Sequence, residues 1–219
     1  MSYRNCDGIE FLKSLPDKSV DGIFTDPPWG GRTKIMGQDK FLELIQAVDE
    51  ECPRILKTRA RVLLWLGFFN MGKFIRQLKN LEYRWMIFCE YIPPRYAACF
   101  EVRLDPILYC ALPGDPWPRL PKEKRMKQIY RKCSTGDKDT KHPCNRPPEI
   151  VKRIIKDWFR PGEYIIDPFA GSDTTGVACR QLLNPYDTCE IDPEMYKTGE
   201  LRNSQKFLFD FDASPAGRE

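Results

Sequence analysis

The chain has 219 residues, with 35 Lys and Arg against 31 Asp and Glu, one histidine, a net charge of +4, 42% hydrophobic and 30% charged residues. Such proportions exclude a disordered or fibrous chain and fit one domain with a single sizeable core. The longest apolar run, Val62–Phe69, falls far short of the ~18 residues of a membrane span, and the polar start Met-Ser-Tyr-Arg-Asn-Cys does not read as a secretion signal, so an intracellular protein with no membrane partner is expected.

In chain order, short apolar runs alternate with helical stretches, which predicts an α/β fold around a mostly parallel sheet with helices on both faces. Residues 3–6 and 20–25 read as strands. Phe41, Leu44, Ile45, Val48, Cys52 and Ile55 share one face of a helix over 39–56. A buried strand at 61–66, a helix at 70–81, and strands at 83–91 and 106–112 follow. Seven prolines between Pro93 and Pro121 predict turns and loop with a strand embedded. Residues 120–132 read as a short basic helix and 133–146 as an exposed loop. Pro147 and Pro148 open a helix whose apolar stripe is Ile150, Val151, Ile154, Ile155, Trp158 and Phe159. A strand at 164–167, a helix at 174–183, a strand at 186–191 and a helix at 193–209 complete seven strands in one domain over 1–212, with a flexible tail at 213–219.

The charge is uneven. Between Arg119 and Lys141 nine basic residues stand against three acids, a local net charge of +6 that leaves the rest of the chain at −2. A basic block on a faintly acidic body points to a polyanion, nucleic acid first, with a solvated lysine-rich helix as the plain alternative. The nine cysteines include no Cys-x-x-Cys, and His142 is the one imidazole available to join them. No zinc spacing exists, no metal is expected, and a disulfide framework does not suit a chain without a secretion signal.

Two motifs carry chemistry. Asp167-Pro-Phe-Ala-Gly-Ser-Asp-Thr-Thr-Gly176 lies between a strand and a helix, where glycine lets backbone approach a ligand and the helix start offers free N–H groups. Fourteen residues on, Glu190-Ile-Asp192 ends the next strand, the place for an acid that binds ribose hydroxyls. The second motif, Asp26-Pro-Pro-Trp29, also follows a strand. Its carboxylate and a proline carbonyl form an acceptor pair beside a flat aromatic face, suited to the amino group of a nucleobase.

Asp-Pro-Pro-Trp, then His-Pro-x-x-Arg-Pro, then Asp-Pro-Phe-Ala-Gly-Ser, then Glu-x-Asp-Pro-x-x-Tyr, in that order, strongly resembles the β class of amino-group DNA methyltransferases, from Tyr3 to about Phe209. The resemblance implies a Rossmann-like seven-stranded sheet with circularly permuted motif order. It implies S-adenosylmethionine (SAM) as cofactor and methyl transfer to adenine N6 or cytosine N4 of DNA, by a restriction–modification or orphan methylase. Asp26, Pro27, Pro28 and Trp29 match the catalytic tetrapeptide. Asp167, Pro168, Phe169, Ala170, Gly171, Ser172 and Asp173, with Thr174 and Thr175, match the cofactor loop; Glu190 and Asp192 match the ribose end; Lys141, His142 and Pro143, with Arg146 and Pro147, match the segment that cradles the methionine end. That location speaks against Cys144 as a carbon-5 cytosine nucleophile.

The family usually has glycine where this chain has Asp173, which would either cap the following helix or repel the cofactor's carboxylate. Arg146 replaces a lysine, keeping charge but not shape. An initial Asp with a final aromatic leans toward adenine. Residues 113–141 match the position of target recognition and are short for reading several base pairs. Arg119, Lys122, Lys124, Arg125, Lys127, Arg131 and Lys132 there, with Arg32 and Lys34 in a glycine-hinged loop beside the tetrapeptide, are the expected phosphate contacts. Low specificity, a short site or a homodimer follows. Single-stranded DNA or RNA as substrate, a protein amide, and an inactive nucleic-acid-binding partner subunit stay open as alternatives.

Overall fold

The computed structural model describes residues 1–28, 38–66, 71–97, 100–118, 125–131 and 146–204. In chain order they form β1 (Ser2–Asn5), α1 (Gly8–Ser14), β2 (Val20–Thr25), α2 (Gln38–Ile55), β3 (Leu56–Trp65), α3 (Met71–Gln77), β4 (Glu82–Ala97), β5 (Phe100–Ala111), β6 (Ile129–Arg131), α4 (Pro148–Trp158), β7 (Ile165–Asp167), α5 (Thr174–Gln181), β8 (Tyr186–Glu190) and α6 (Pro193–Ser204). The strands make one sheet in the order β1-β8-β7-β2-β3-β5-β4-β6. Among the described residues only β5 runs antiparallel to its neighbours; every other pairing is parallel. Seven carboxyl ends therefore line a single edge.

Strand alternation divides the core in two. Val62 and Leu64 of β3 pack with Phe11, Leu12, Phe41, Ile45 and Phe74 from α1, α2 and α3. Leu63 and Trp65 face the other way, onto Ile150, Val151, Ile154 and Ile155 of α4 and Ala178 of α5. A strand covered on both faces has no polar side to show, which is why Val-Leu-Leu-Trp reads as a continuous apolar run.

The sheet differs from the expected one in its strand count and in the length of β4. It has eight strands rather than seven. The added strand is β6, inside the stretch expected to be a helix over 120–132. Tyr130 is fully buried between two exposed neighbours, and β6 pairs with β4 from Phe88↔Ile129 to Glu90↔Arg131. Helix propensity is a weak preference that burial of one tyrosine and the hydrogen bonds of an open sheet edge outweigh. In addition, β4 continues through Pro93 and Pro94, which the prolines had assigned to loop. A register shift between Glu90 and Arg95 takes up the missing N–H groups as a bulge. The β4–β5 hairpin then runs on to Ala97↔Phe100, beyond Trp65, the last residue of β3. Helix α1 was not anticipated at all. Its Asp7 cap accepts from the N–H groups of Ile9 and Glu10, and the Asp-x-x-Glu spacing is the signal that was there to find.

Candidate active site

Strand β2 leads away to β3 on one side and β7 leads to β8 on the other, while β2 and β7 are themselves paired. The crevice at the carboxyl ends of such a divergent pair is where open α/β sheets take ligands. Asp26 follows β2, Asp167 ends β7, and Glu190 ends β8.

In the first of these turns Asp26 and Pro28 are half-buried and Pro27 is buried. Trp29, Arg32 and Lys34 lie outside the described residues. The Asp26 carboxylate is gripped by Arg146, which donates from Nε to Oδ2 at 2.6 Å and from Nη2 to Oδ1 at 2.9 Å. The remaining Arg146 amino group donates to Asp105 Oδ2 at 2.8 Å and to the Tyr91 hydroxyl at 3.2 Å. The guanidinium lies 4.5 Å above the ring of Trp65, within cation–π range. Burial works against the charge of Arg146, but Asp26, Tyr91 and Asp105 outweigh it and hold its proton more firmly than in free arginine.

The second turn splits into two layers. Asp167, Pro168, Ser172, Asp173, Thr174 and Thr175 are buried, while Phe169, Ala170, Gly171 and Glu190 reach the surface in part and Asp192 fully. Asp167 accepts from Thr25 Oγ1 and Thr175 Oγ1, both at 2.6 Å, and from the Phe169 N–H at 3.0 Å. Burial still pushes its carboxyl up to about 7. The Thr25 bond ties the cofactor-type loop to the residue before Asp26. Gly171 has φ +54, a left-handed conformation that suits glycine, and a Cβ there would meet no atom of the described residues within 4 Å. Its N–H donates to Glu190 Oε2 at 2.9 Å, and the Asp192 N–H donates to Glu190 Oε1 at 2.8 Å. Asp192 itself caps α6, accepting from Glu194 and Met195.

Asp173 resolves toward the cap. It sits at φ 59 and accepts from the Gly176 N–H, 3.2 Å, at the start of α5. The Thr188 hydroxyl (2.7 Å) and the Asn203 amide (2.6 Å) donate to it as well. Its side chain is turned into the protein rather than toward the loop's open face. A glycine pattern at this position makes sense because the backbone is left-handed, and Asp is among the few other residues that accept that conformation. Burial pushes its carboxyl up to about 6.

Of the basic candidates, Arg125, Lys127 and Arg131 are exposed on the β6 side, and Arg131 pairs with Glu90 at 2.6 Å. Arg119, Lys122, Lys124, Lys132, Lys141, His142 and Pro143 lie outside the described residues. A cavity of about 510 Å³ lined by Trp85, Tyr109, Trp117, Arg125, Lys127 and Trp158 opens near the amino end of β4, away from the edge that bears Asp26. Among the described residues no group of His, Cys, Asp and Glu is placed to hold a metal ion, and no helix is long and apolar enough to cross a membrane.

A family model for N6/N4 methyltransferases, described as DNA methylase, matches residues 20–201. The chain belongs to this DNA methylase family. The DNA adenine methyltransferase YhdJ of Escherichia coli (strain K12) is 28% identical over 236 residues, spanning 90% of this chain and 80% of the relative. In fold the chain is similar to M1.HpyAVI, solved as a SAM complex, with a TM-score of 0.76 and 21% identity over 93% of this chain and 99% of that one. It is equally similar to the cytosine-N4-specific PvuII DNA methyltransferase, with a TM-score of 0.76 and 14% identity over 94% of this chain and 87% of the other.

For a DNA methylase of this kind, the surface layer of the loop fits an adenosyl group. Glu190 is a fixed acceptor at a strand end, Gly171 leaves open space beside it, and Ile191, 64% exposed, offers a flat apolar surface next to the acid. Ile191 was missed in the sequence because one isoleucine at the end of a strand looks like core. Arg202 of α6, which donates to Ser172 and Thr174, and the pair Tyr91 and Asp105 were missed for another reason. They reach the site across the fold and carry no local motif.

Proposed function

We propose that this chain transfers the methyl group of SAM to the exocyclic amino group of a base in DNA, adenine N6 in the first instance. The observation that carries the reading is the pairing of β2 with β7, which sets Asp26 beside the loop and the acid that fit an adenosyl group, with the Thr25–Asp167 bond joining the two turns. Glu190 binds the ribose diol, the Gly171 backbone lets the cofactor approach closely, and Ile191 covers one face of its purine. Bound SAM supplies an electrophilic methyl on a sulfonium.

The target amino nitrogen is a poor nucleophile because its lone pair is delocalised into the ring. In this reading the base is flipped out of the helix, stacks on Trp29, and gives its two amino hydrogens to the Asp26 carboxylate and the Pro27 carbonyl. That draws the nitrogen toward tetrahedral geometry and aims its lone pair. The negative charge at Asp26 then offsets the positive charge that grows on the nitrogen, so the protein acts by positioning and electrostatics. The first residue of the tetrapeptide and the likeness to an adenine enzyme over nearly the whole chain favour adenine over cytosine. Basic residues between 119 and 141 other than Arg125 and Lys127, which lie toward the opposite edge, supply phosphate contacts that hold the duplex without reading it.

The test incubates the protein with labelled SAM and, separately, duplex DNA, single-stranded DNA and RNA, followed by nucleoside mass spectrometry. N6-methyladenine from duplex DNA is the expected product. N4-methylcytosine would overturn the base assignment, and methylation confined to RNA would overturn the polymer. Asp26→Ala should abolish transfer with SAM binding retained in calorimetry; full activity in that variant would remove Asp26 from the chemistry.

A further inference from the structure

We infer that Tyr3 of β1 is a positioning residue for the cofactor: its hydroxyl fixes Gly171, and through it the Glu190 carboxylate, in the orientation that receives the ribose diol. The inference rests on the reading of Gly171 and Glu190 as the ribose end of the SAM site. Tyr3 belongs to neither motif and lies 168 residues from Gly171 in the chain.

Geometry comes first. β1 is an edge strand laid parallel on β8, with Tyr3 opposite Thr188 and Asn5 opposite Glu190. The Tyr3 hydroxyl donates to the Gly171 carbonyl at 2.5 Å. The N–H of the same glycine donates to Glu190 Oε2 at 2.9 Å. Gly171 is thus tied through one peptide group to the edge strand and through the other to the acid. A glycine has more backbone freedom to lose than any other residue, so outside contacts decide how its peptide groups are aimed. Asn5 adds to the grip, donating from Nδ2 to the Glu190 carbonyl at 2.8 Å.

Helix α6 keeps Tyr3 in that pose. Gly199, the buried residue of α6, lies so close to the ring that a Cβ would come within 2.5 Å of Tyr3 Cε1 and 2.6 Å of its hydroxyl oxygen. Tyr196 packs on the ring with centroids 4.7 Å apart. The same helix reaches the loop beyond Gly171, where Asn203 donates to Asp173 at 2.6 Å and Arg202 to Thr174 Oγ1 at 2.9 Å. Burial, with the charges of Asp173 and Glu190 adding to it, raises the Tyr3 hydroxyl well above the ordinary tyrosine value. The group therefore stays a proton donor through the neutral range, as the Gly171 carbonyl requires.

A tie of this kind acts where the ribose sits. Loosening it should weaken cofactor binding in the ground state and transition state alike, which raises KM and leaves the saturated rate unchanged. A tie that served stability alone would lower the melting temperature and leave ribose recognition intact.

SAM calorimetry, DNA affinity, thermal melting and single-turnover transfer at saturating SAM test the role in Tyr3→Phe, which keeps the ring and removes the hydroxyl. SAM affinity should fall about five- to ten-fold, the scale of one hydrogen bond. The saturated rate and DNA affinity should stay within about two-fold of wild type. Competition against labelled SAM by adenosine and by 2′-deoxyadenosine reads the ribose directly, and the preference for adenosine should shrink by a similar factor. Gly199→Ala displaces the ring with its hydroxyl kept and should weaken SAM at least as much; should it fail to fold, Tyr3→Phe carries the test. Wild-type SAM affinity in Tyr3→Phe, or affinity lost equally for adenosine and 2′-deoxyadenosine, would overturn the inference. Glu190→Gln separates it from the reading beneath it. If that variant binds SAM as the wild type does, the ribose assignment is at fault. If it binds SAM poorly while Tyr3→Phe matches wild type, that assignment survives and the role of Tyr3 does not.

Discussion

Two neighbouring strands of this sheet end in the same dipeptide, Asp26-Pro27 after β2 and Asp167-Pro168 at the end of β7, and the two aspartates live in opposite surroundings. Asp26 is 28% exposed at its side chain and held by a guanidinium. Asp167 is 3% exposed and meets two hydroxyls and a backbone N–H. An ion pair at the crevice fixes the orientation of a carboxylate that stays partly exposed. A carboxylate sealed among neutral donors becomes an internal tie that holds two turns together. Identical local sequence thus takes two roles, set by what the fold brings across.

The largest effect should come from exchanging charge for shape at both positions. Asp26→Asn is expected to lower single-turnover transfer at least about 100-fold, the scale on which removing one preorganised electrostatic group acts. Asp167→Asn resembles the protonated acid that burial already favours, and should cost transfer no more than about 10-fold, because its bonds position the turn without touching the target. Comparable losses in the two variants would erase the distinction.

The buried carboxylates also carry a pH signature. Burial raises Asp167 to about 7 and Asp173 to about 6, above the ~3.9 of an unfolded aspartate. Between these limits the folded state keeps protons that the unfolded chain has released. Stability from this source is therefore full below about pH 4 and is lost as pH rises through 6 and 7. Asp173→Asn tolerates the left-handed backbone and should remove its share of that decline, on the order of 3 kcal/mol. Urea unfolding of the two proteins from pH 4.5 to 8 checks this, and parallel stability curves would contradict it. Next in size is Gly176→Ala, whose Cβ would lie 2.4 Å from Asp173 Oδ2. It should destabilise by about 1–3 kcal/mol through overpacking, a cost that disappears when Asp173→Gly removes the carboxylate and so shows as non-additivity in a double-mutant cycle.

What could be seen in advance follows the same contrast. The two Asp-Pro turns, the acid at Glu190 and the α4 stripe were legible because each is local: a strand, a break, then residues with distinct chemistry at fixed spacing. The helices on both faces followed from hydrophobic period. Arg146 was legible as part of a motif but not in its partner, since Asp105 and Tyr91 sit on β5 and β4 and only the long hairpin brings them to the edge. β6 was hidden for a related reason. Basic residues before Ile129 have helical propensity, and only the open edge of β4 makes Tyr130 a strand residue. Asp173 looked ambiguous because a cap and a repulsive charge are the same residue until its side chain is seen to turn inward, toward Thr188 and Asn203.

Thr25 is where the two turns meet, and it offers the smallest and most selective test. Its hydroxyl donates to Asp167 while its carbonyl side leads directly into Asp26. Thr25→Val keeps the size and the β-branch that suits β2, and removes only that donor. The loss should destabilise by about 1–2 kcal/mol, the cost of leaving a buried acceptor short of a bond. Its size should depend on pH. Below about 6 the protonated Asp167 needs the hydroxyl less, whereas above 7 the ionised form loses one of its three donors. The stability gap between Thr25→Val and wild type should therefore widen from pH 5 to pH 8. Methyl transfer should fall only a few-fold, because Thr25 shapes the approach to Asp26 while Arg146 still holds the carboxylate. A gap that stays constant across that range would mean that Asp167 does not ionise in the folded protein, and that the tie between the turns is a neutral hydrogen bond throughout.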